Sequence, residues 1–153
     1  LISCSHLDMC RNGGTFCTSQ LSPGYRPSVY TVSDYVITGI SVGLRNGSKA
    51  EIKEKMDELM GKRRDKQPLE YPSSGSVFKR PEGYFAGALI EQSGLKGRSV
   101  GGAQVSEKHA GFIINKGGAT TKDVVDLIEL CKDTVFKNTG VLLEPEIKTI
   151  EDY

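Results

Sequence analysis

A chain of 153 residues, 37% hydrophobic and 25% charged, has an ordinary globular balance and enough length to bury a core of its own. Its net charge of +1 supplies no overall field to recruit nucleic acid or an acidic membrane surface, and no apolar run approaches the length of a membrane span. No basic segment followed by an apolar core opens the chain, so no signal peptide is expected, and its start at Leu1, directly in a strand-like segment, leads us to expect a fragment or a processed product.

Residues 2–19 read as two short strands around Cys10-Arg-Asn-Gly-Gly14, because Asn-Gly between extended runs is a strong hairpin signal. Ser22-Pro-Gly-Tyr-Arg-Pro27 reads as a turn. Tyr35 to Leu44 alternates β-branched and small residues and reads as a strand ended by Asn46-Gly47. A helix follows, opened by the capping-box pair Ser48 and Glu51. Ile52, Met56 and Leu59 recur at helical spacing and are expected to form its buried face. Lys62-Arg63-Arg64 lies near its C-terminus, where cations interact favourably with the helix dipole, and Pro68 stops it.

Tyr71-Pro-Ser-Ser-Gly-Ser-Val-Phe-Lys-Arg-Pro81 is the stretch with the most chemical character. Gly75 can take a backbone conformation forbidden to other residues and turn Ser76 outward at the start of a short extended piece. Lys79 and Arg80 set two cations a few residues from that hydroxyl, a combination that suits an anionic substrate. Read locally, the same residues also make an ordinary turn with two solvated cations.

Tyr84 to Ser93 reads as a short helix whose small residues Ala86, Gly87 and Ala88 permit close packing. Val100 to Val105 and Gly111 to Asn115 read as strands joined by the polar connection Ser106 to His109. The second has too little alternation to be half exposed, so a central position is expected. Thr120 and Asp123 open a second strong helix, with Val124, Leu127, Ile128, Cys131 and Val135 as its core stripe and Gly140 as its stop. A last strand, Val141 to Ile150, carries Leu143-Glu-Pro-Glu-Ile147, where proline implies an edge strand or a bulge. The fold class is α+β, with an antiparallel or mixed sheet and packed helices.

Of the four cysteines, Cys4, Cys10 and Cys17 lie near His6 and Cys131 lies on the second helix. No C-x-x-C or H-x-x-x-H pair appears, so no metal site is expected, and reduced thiols in a cytosolic protein are the reading.

Taken together, several motifs fall in one order: Lys66-Gln-Pro68, Gly75-Ser-Val-Phe-Lys-Arg-Pro81, Phe85-Ala-Gly-Ala-Leu-Ile-Glu-Gln92, Gly101-Gly-Ala-Gln-Val-Ser-Glu-Lys-His-Ala-Gly-Phe-Ile-Ile-Asn115 and Leu143-Glu-Pro-Glu-Ile147. That order resembles the C-terminal part of the UDP-N-acetylenolpyruvoylglucosamine reductase family, also called MurB or UDP-N-acetylmuramate dehydrogenase. The resemblance is strong from about Tyr25 to Ile150 and weaker before Gly24. It implies a cytoplasmic bacterial flavoenzyme of peptidoglycan precursor synthesis. NADPH reduces FAD, and the enolpyruvyl double bond of UDP-N-acetylglucosamine enolpyruvate is reduced to give UDP-N-acetylmuramate. Residues 1–66 would be the incomplete end of the FAD-binding domain and residues 67–153 the substrate-binding domain.

The resemblance also implies roles. Ser76 matches the family's general acid, and Glu146 matches its second acid, which helps stabilise or protonate the intermediate. Arg26, in the pair Tyr25-Arg26, lies near the substrate carboxylate. Lys66 matches a lysine that meets the nucleotide diphosphate. Lys79 follows the serine, Arg80 stands where some members have a substrate-contacting asparagine, and His109 where some have a glutamine facing the substrate. Pro27 departs from the family pattern, and the connection from Val29 to Tyr35 is short, so the substrate-covering insertion of some members is absent. The resemblance implies that FAD is held mostly by a region upstream of this sequence, and Gly101-Gly102 does not read as a dinucleotide-binding glycine pattern. No nucleic-acid or membrane partner is expected. Two alternatives stay open: a non-catalytic nucleotide-sugar or protein-binding module keeping the fold, and another flavin-dependent oxidoreductase reusing the domain.

Overall fold

The structure is a computed structural model and describes residues 1–21, 28–31 and 33–149. The chain divides into two units, residues 1–52 and 53–153. The turn expected at Ser22 to Pro27, and with it Tyr25 and Arg26, lies outside the described residues, as does Ile150.

The first unit is built on an antiparallel sheet in the order β2-β1-β3, with β1 at Ser3–Leu7, β2 at Gly13–Cys17 and β3 at Val36–Ser41. The hairpin between β1 and β2 forms around the expected turn. There the Asp8 carboxylate accepts from the backbone N–H of Asn12 at 2.8 Å and from its Nδ2 at 2.9 Å. After β2 come two short helical turns the sequence reading did not contain, α1 at Thr18–Leu21 and a 3-10 turn at Val29–Thr31. Alternation along β1 sends Cys4 and His6 to one face, and both are buried. The His6 ring stacks on Phe16 with centroids 4.4 Å apart and packs against Tyr35 at 4.3 Å. Its Nδ1 lies 3.1 Å from the Tyr30 hydroxyl, which donates to the Cys4 carbonyl at 3.2 Å. The histidine near the first three cysteines thus belongs to an aromatic cluster, and among the described residues no three His, Cys, Asp or Glu side chains gather as a metal ion would need.

Helix α2 spans Lys49–Lys66 and corrects one expectation. Ile52, Met56 and Leu59, assigned to a buried face, are each half or more exposed, and α2 buries no residue. Helical spacing identifies an apolar stripe but not what covers it. Here the helix is supported by intrahelical ion pairs instead, Lys53 to Asp57 and Glu58 to both Lys55 and Lys62.

The second unit holds an antiparallel sheet in the order β4-β7-β6-β5, formed by β4 (Ser73–Ser76), β5 (Ser99–Val100), β6 (Ala103–Val105) and β7 (Phe112–Asn115). As its uninterrupted apolar run required, β7 lies inside the sheet with Phe112, Ile113 and Ile114 buried. Val100 to Val105 is not one strand but the two-stranded hairpin β5–β6. Gly101, at φ +52, makes the turn, and the Asp123 carboxylate fills the space a side chain at 101 would need. The expected last strand is also absent as a strand, because it contributes only a single bridge between Phe78 and Pro145.

Helices α3 (Ala86–Gln92) and α4 (Thr121–Thr139) pack with the sheet around Val77, Phe78, Leu89, Ile90, Val105, Ile113, Leu127, Cys131, Val135 and Leu143. Helix α4 begins and ends as its sequence dictates. The Thr120 hydroxyl accepts from the Asp123 N–H while the Asp123 carboxylate accepts from the Thr120 N–H, and Gly140 closes the helix at φ +73. Burial pushes the Cys131 thiol up to about 11. No helix among the described residues is long and apolar enough to cross a membrane.

Three measurements check this packing. Thr120→Ala, which removes a hydrogen-bonding N-cap, should lower stability by about 1 kcal/mol in denaturant titrations. The Asp123 carboxyl is held below its ordinary value, chiefly by the Thr120 N–H and then by the Gly102 N–H. The stabilisation this gives is present above the ordinary carboxylate range and is lost as pH falls through the depressed value. Asp123→Asn should therefore flatten the acid limb of the stability–pH curve. For the thiols, a disulfide-exchange reagent should label the exposed Cys10 and Cys17 first and reach Cys131 only on unfolding. Rapid native-state labelling of Cys131 would contradict its burial.

Candidate active site

The serine loop owes its shape to Gly75. At φ +85 this residue takes up the extra position in the β4–β7 pairing, where Ser73 is opposite Ile114 and Ser76 opposite Phe112. Downstream, Val77 and Phe78 bury their side chains, and this anchors the chain while leaving Ser76 exposed. The Ser76 Oγ is 3.4 Å from the Phe78 carbonyl, too long to hold its hydrogen firmly. Upstream, Lys116 fixes Tyr71: its Nζ donates to the phenol oxygen at 3.0 Å and sits 4.5 Å from the ring centroid, and that hydrogen bond raises the Lys116 pKa.

His109 reaches the same loop from the connection between β6 and β7. The buried Ser106 hydroxyl accepts from the backbone N–H groups of Lys108 and His109 and shapes that turn. The His109 Nδ1 accepts from the Gly111 N–H at 3.1 Å, so in the neutral ring the proton sits on Nε2. The imidazole occupies a slot between two glycines. A Cβ on Gly87 would lie 3.3 Å from its Cε1, and one on Gly111 would lie 3.0 Å from it. The Ser76 Oγ is 3.7 Å from that same Gly111 position, so hydroxyl and imidazole flank one small volume. Phe112 closes the slot edge-on, 4.9 Å from the ring.

The C-terminal segment runs antiparallel beside the residues after Ser76. Glu146 donates its N–H to the Val77 carbonyl at 2.7 Å, and Lys79 donates its N–H to the Glu144 carbonyl at 2.8 Å. These two bonds flank the Phe78–Pro145 pair and use no donor at position 145, so the missing proline N–H leaves nothing unsatisfied. The backbone of Glu146 is thereby fastened one residue from Ser76. The Lys79 ammonium pairs with the Glu144 carboxylate. Arg80 donates Nε to the Tyr84 carbonyl at 3.2 Å and lays its guanidinium over Phe85. Lys66 is exposed at the end of α2, and no hydrogen bond or ion pair among the described residues ties it to the serine loop. The sequence reading gave no role to Phe85 or Glu144, and it named Gly87 for close packing without naming His109 as what it packs against. Only Gly87, a glycine inside a helix, carried a local signal of close approach.

A Cβ at Gly102 would strike the Ala119 backbone, so that turn is filled, and the Gly117 N–H is taken by the Asn115 side chain at 2.8 Å. A groove of about 370 Å³ between β4, β7 and the start of α4 is lined by Ser73, Ser74, Asn115, Thr120, Val124 and Ile147 among others, and does not include Ser76, His109 or Glu146.

Known proteins resemble this chain in sequence and in fold. A family profile described as "UDP-N-acetylenolpyruvoylglucosamine reductase, C-terminal domain" matches residues 67–150, more than half of the chain. UDP-N-acetylenolpyruvoylglucosamine reductase of Clostridium perfringens is 56% identical over 131 residues, covering 86% of this chain and 43% of the relative. That of Exiguobacterium sibiricum is 55% identical over the same shares. The crystal structure of UDP-N-acetylenolpyruvylglucosamine reductase (MurB) from Thermus caldophilus superposes with a TM-score of 0.78 at 31% identity, over 97% of this chain and 52% of that one. The chain thus spans less than half the length of the curated relatives it matches. With the family profile, the curated relatives and the solved structure in agreement, this chain belongs to the UDP-N-acetylenolpyruvoylglucosamine reductase family, whose C-terminal domain it contains.

Proposed function

We propose that this chain is the substrate-binding, proton-supplying C-terminal part of an NADPH- and FAD-dependent oxidoreductase. The enzyme would convert UDP-N-acetylglucosamine enolpyruvate to UDP-N-acetylmuramate for peptidoglycan synthesis in the bacterial cytoplasm. Residues 1–66 then end a flavin-binding domain and residues 67–153 form the substrate domain. The observation that carries the reading is the backbone pairing of Val77 and Lys79 with Glu146 and Glu144, which brings the chain at Glu146 beside the chain at Ser76.

A flavin reduced by NADPH would supply the hydride. What the chain supplies is the proton and the charges around it. Once the terminal carbon of the enolpyruvyl group has taken a hydride, negative charge gathers on the neighbouring carbon and spreads to its carboxylate. Ser76 is the general acid: its O–H bond breaks as a C–H bond forms, leaving the alkoxide on Oγ. A hydroxyl is a weak acid, but the carbanion is a strong base, so the transfer runs downhill. Glu146 acts as the second acid at the same centre, and Arg26 offsets charge on the substrate carboxylate. Tyr25, Lys66, Lys79 and Arg80 contact the rest of the nucleotide sugar, and His109 offers it the Nε2 hydrogen.

Three experiments test this. Calorimetric titration of the chain with UDP-N-acetylglucosamine enolpyruvate should show binding that weakens in Lys66→Ala and Arg80→Ala. No detectable binding would leave the chain a structural piece only. In a polypeptide joining this chain to the upstream half of the Clostridium perfringens relative, Ser76→Ala should lower kcat by about 10² to 10⁴, the usual size of general acid catalysis, while flavin reduction by NADPH proceeds at the parent rate. A loss of kcat under tenfold removes Ser76 from the role. The 153-residue chain alone should neither hold FAD nor turn over, and a yellow, active preparation of it would refute that.

A further inference from the structure

Two cations follow Ser76, and the structure treats them differently. The Lys79 ammonium is neutralised by the Glu144 carboxylate, and its backbone N–H also goes to Glu144. Arg80 has no carboxylate partner among the described residues. Its guanidinium carbon sits 4.0 Å from the centroid of the Phe85 ring, and its Nε donates to the Tyr84 carbonyl at 3.2 Å. The intervening loop folds back to allow this: Gly83 turns at φ +75, and the Tyr84 N–H closes on the Pro81 carbonyl at 3.1 Å.

Phe85 is otherwise poorly employed. It stands at the N-cap of α3, where a side-chain oxygen is favoured, and makes no capping bond. It is 62% exposed and so adds little to the core. Its ring is, however, a flat support under a planar cation, and a guanidinium stacked on an aromatic face keeps its outer edge free for two parallel hydrogen bonds to phosphate oxygens.

We propose that Phe85 is a positioning residue: it holds the Arg80 guanidinium ready to receive the diphosphate of the nucleotide substrate. This rests on the reading above that the Ser76 face binds a nucleotide sugar. A cation already held in its binding orientation loses less freedom when the anion arrives. Arg80 is thereby the cation of the pair whose charge is open to the diphosphate, since the charge of Lys79 is already offset by Glu144.

The test uses the isotope-labelled chain with UDP as the probe. In the absence of UDP, the Arg80 Nε–H should be ordered in the parent and mobile in Phe85→Leu by NMR relaxation, with order recovered in Phe85→Tyr. UDP affinity should fall about two- to five-fold in Phe85→Leu, the strength of an exposed cation–π contact, and return in Phe85→Tyr. In an Arg80→Ala background, Phe85→Leu should have no further effect on UDP affinity. An Arg80 Nε–H as mobile in the parent as in Phe85→Leu, or a Phe85→Leu effect that persists without Arg80, overturns the positioning role while leaving nucleotide binding intact. If UDP affinity is indifferent to Arg80→Ala although Phe85 orders the guanidinium, the nucleotide reading fails at this loop and the proposal falls with it.

Discussion

Val77 has one backbone donor and one backbone acceptor, and they serve different neighbours. Its N–H donates to the Gly111 carbonyl at 2.9 Å, on the β7 side, and its carbonyl accepts from the Glu146 N–H at 2.7 Å, on the side of the C-terminal segment. In a regular strand both groups of a residue point the same way. Here the glycine bulge just before Ser76 breaks that rule, and the chain changes partners within a single residue. The side chain of Val77 is 1% exposed and fixes the change in the core. Ser76 on one side, Gly111 with its histidine on a second and Glu146 on a third are all referred to this one residue. A candidate acid loop needs that kind of reference, because its side chains are too far apart in sequence to be aligned by local structure.

Absence of side chains shapes the rest of the loop's surroundings. Gly87 and Gly111 come from a helix and from the entry to a strand, and both leave out the Cβ that would collide with His109. The imidazole is located less by its own bonds than by the space its neighbours vacate. Its single described ring hydrogen bond, from Gly111, then selects which nitrogen keeps the proton. Packing sets the position and hydrogen bonding sets the chemistry.

The features legible in the sequence were those whose cause is local. Gly75 and Gly140 were identified from the backbone conformations they permit, α4 from a cap three residues wide, and β7 from an apolar run with no polar break. The features not legible depend on partners. Lys79 and Glu144 are 65 residues apart in the chain, and nothing near either one announces the other. The stripe on α2 has the periodicity of a buried face, yet periodicity describes only one side of a contact. Val100 to Val105 looked continuous because β-propensity does not register that Asp123 of α4 holds the Gly101-Gly102 turn. The chemical reading of the serine loop came from the likeness of ordered motifs to a known family, since the loop alone is equally an ordinary turn.

The proline of the C-terminal segment acts on the opposite side of the segment as well. In the Phe78–Pro145 pair, the backbone groups of position 145 face away from Phe78, toward whatever lies beyond the sheet. Any other residue there would offer an outward amide hydrogen, a foothold for a passing extended chain. Proline offers none, so this margin of the sheet is poorly suited to growing by stray strand addition, while the bonds that fasten Glu144 and Glu146 to the serine loop stay intact.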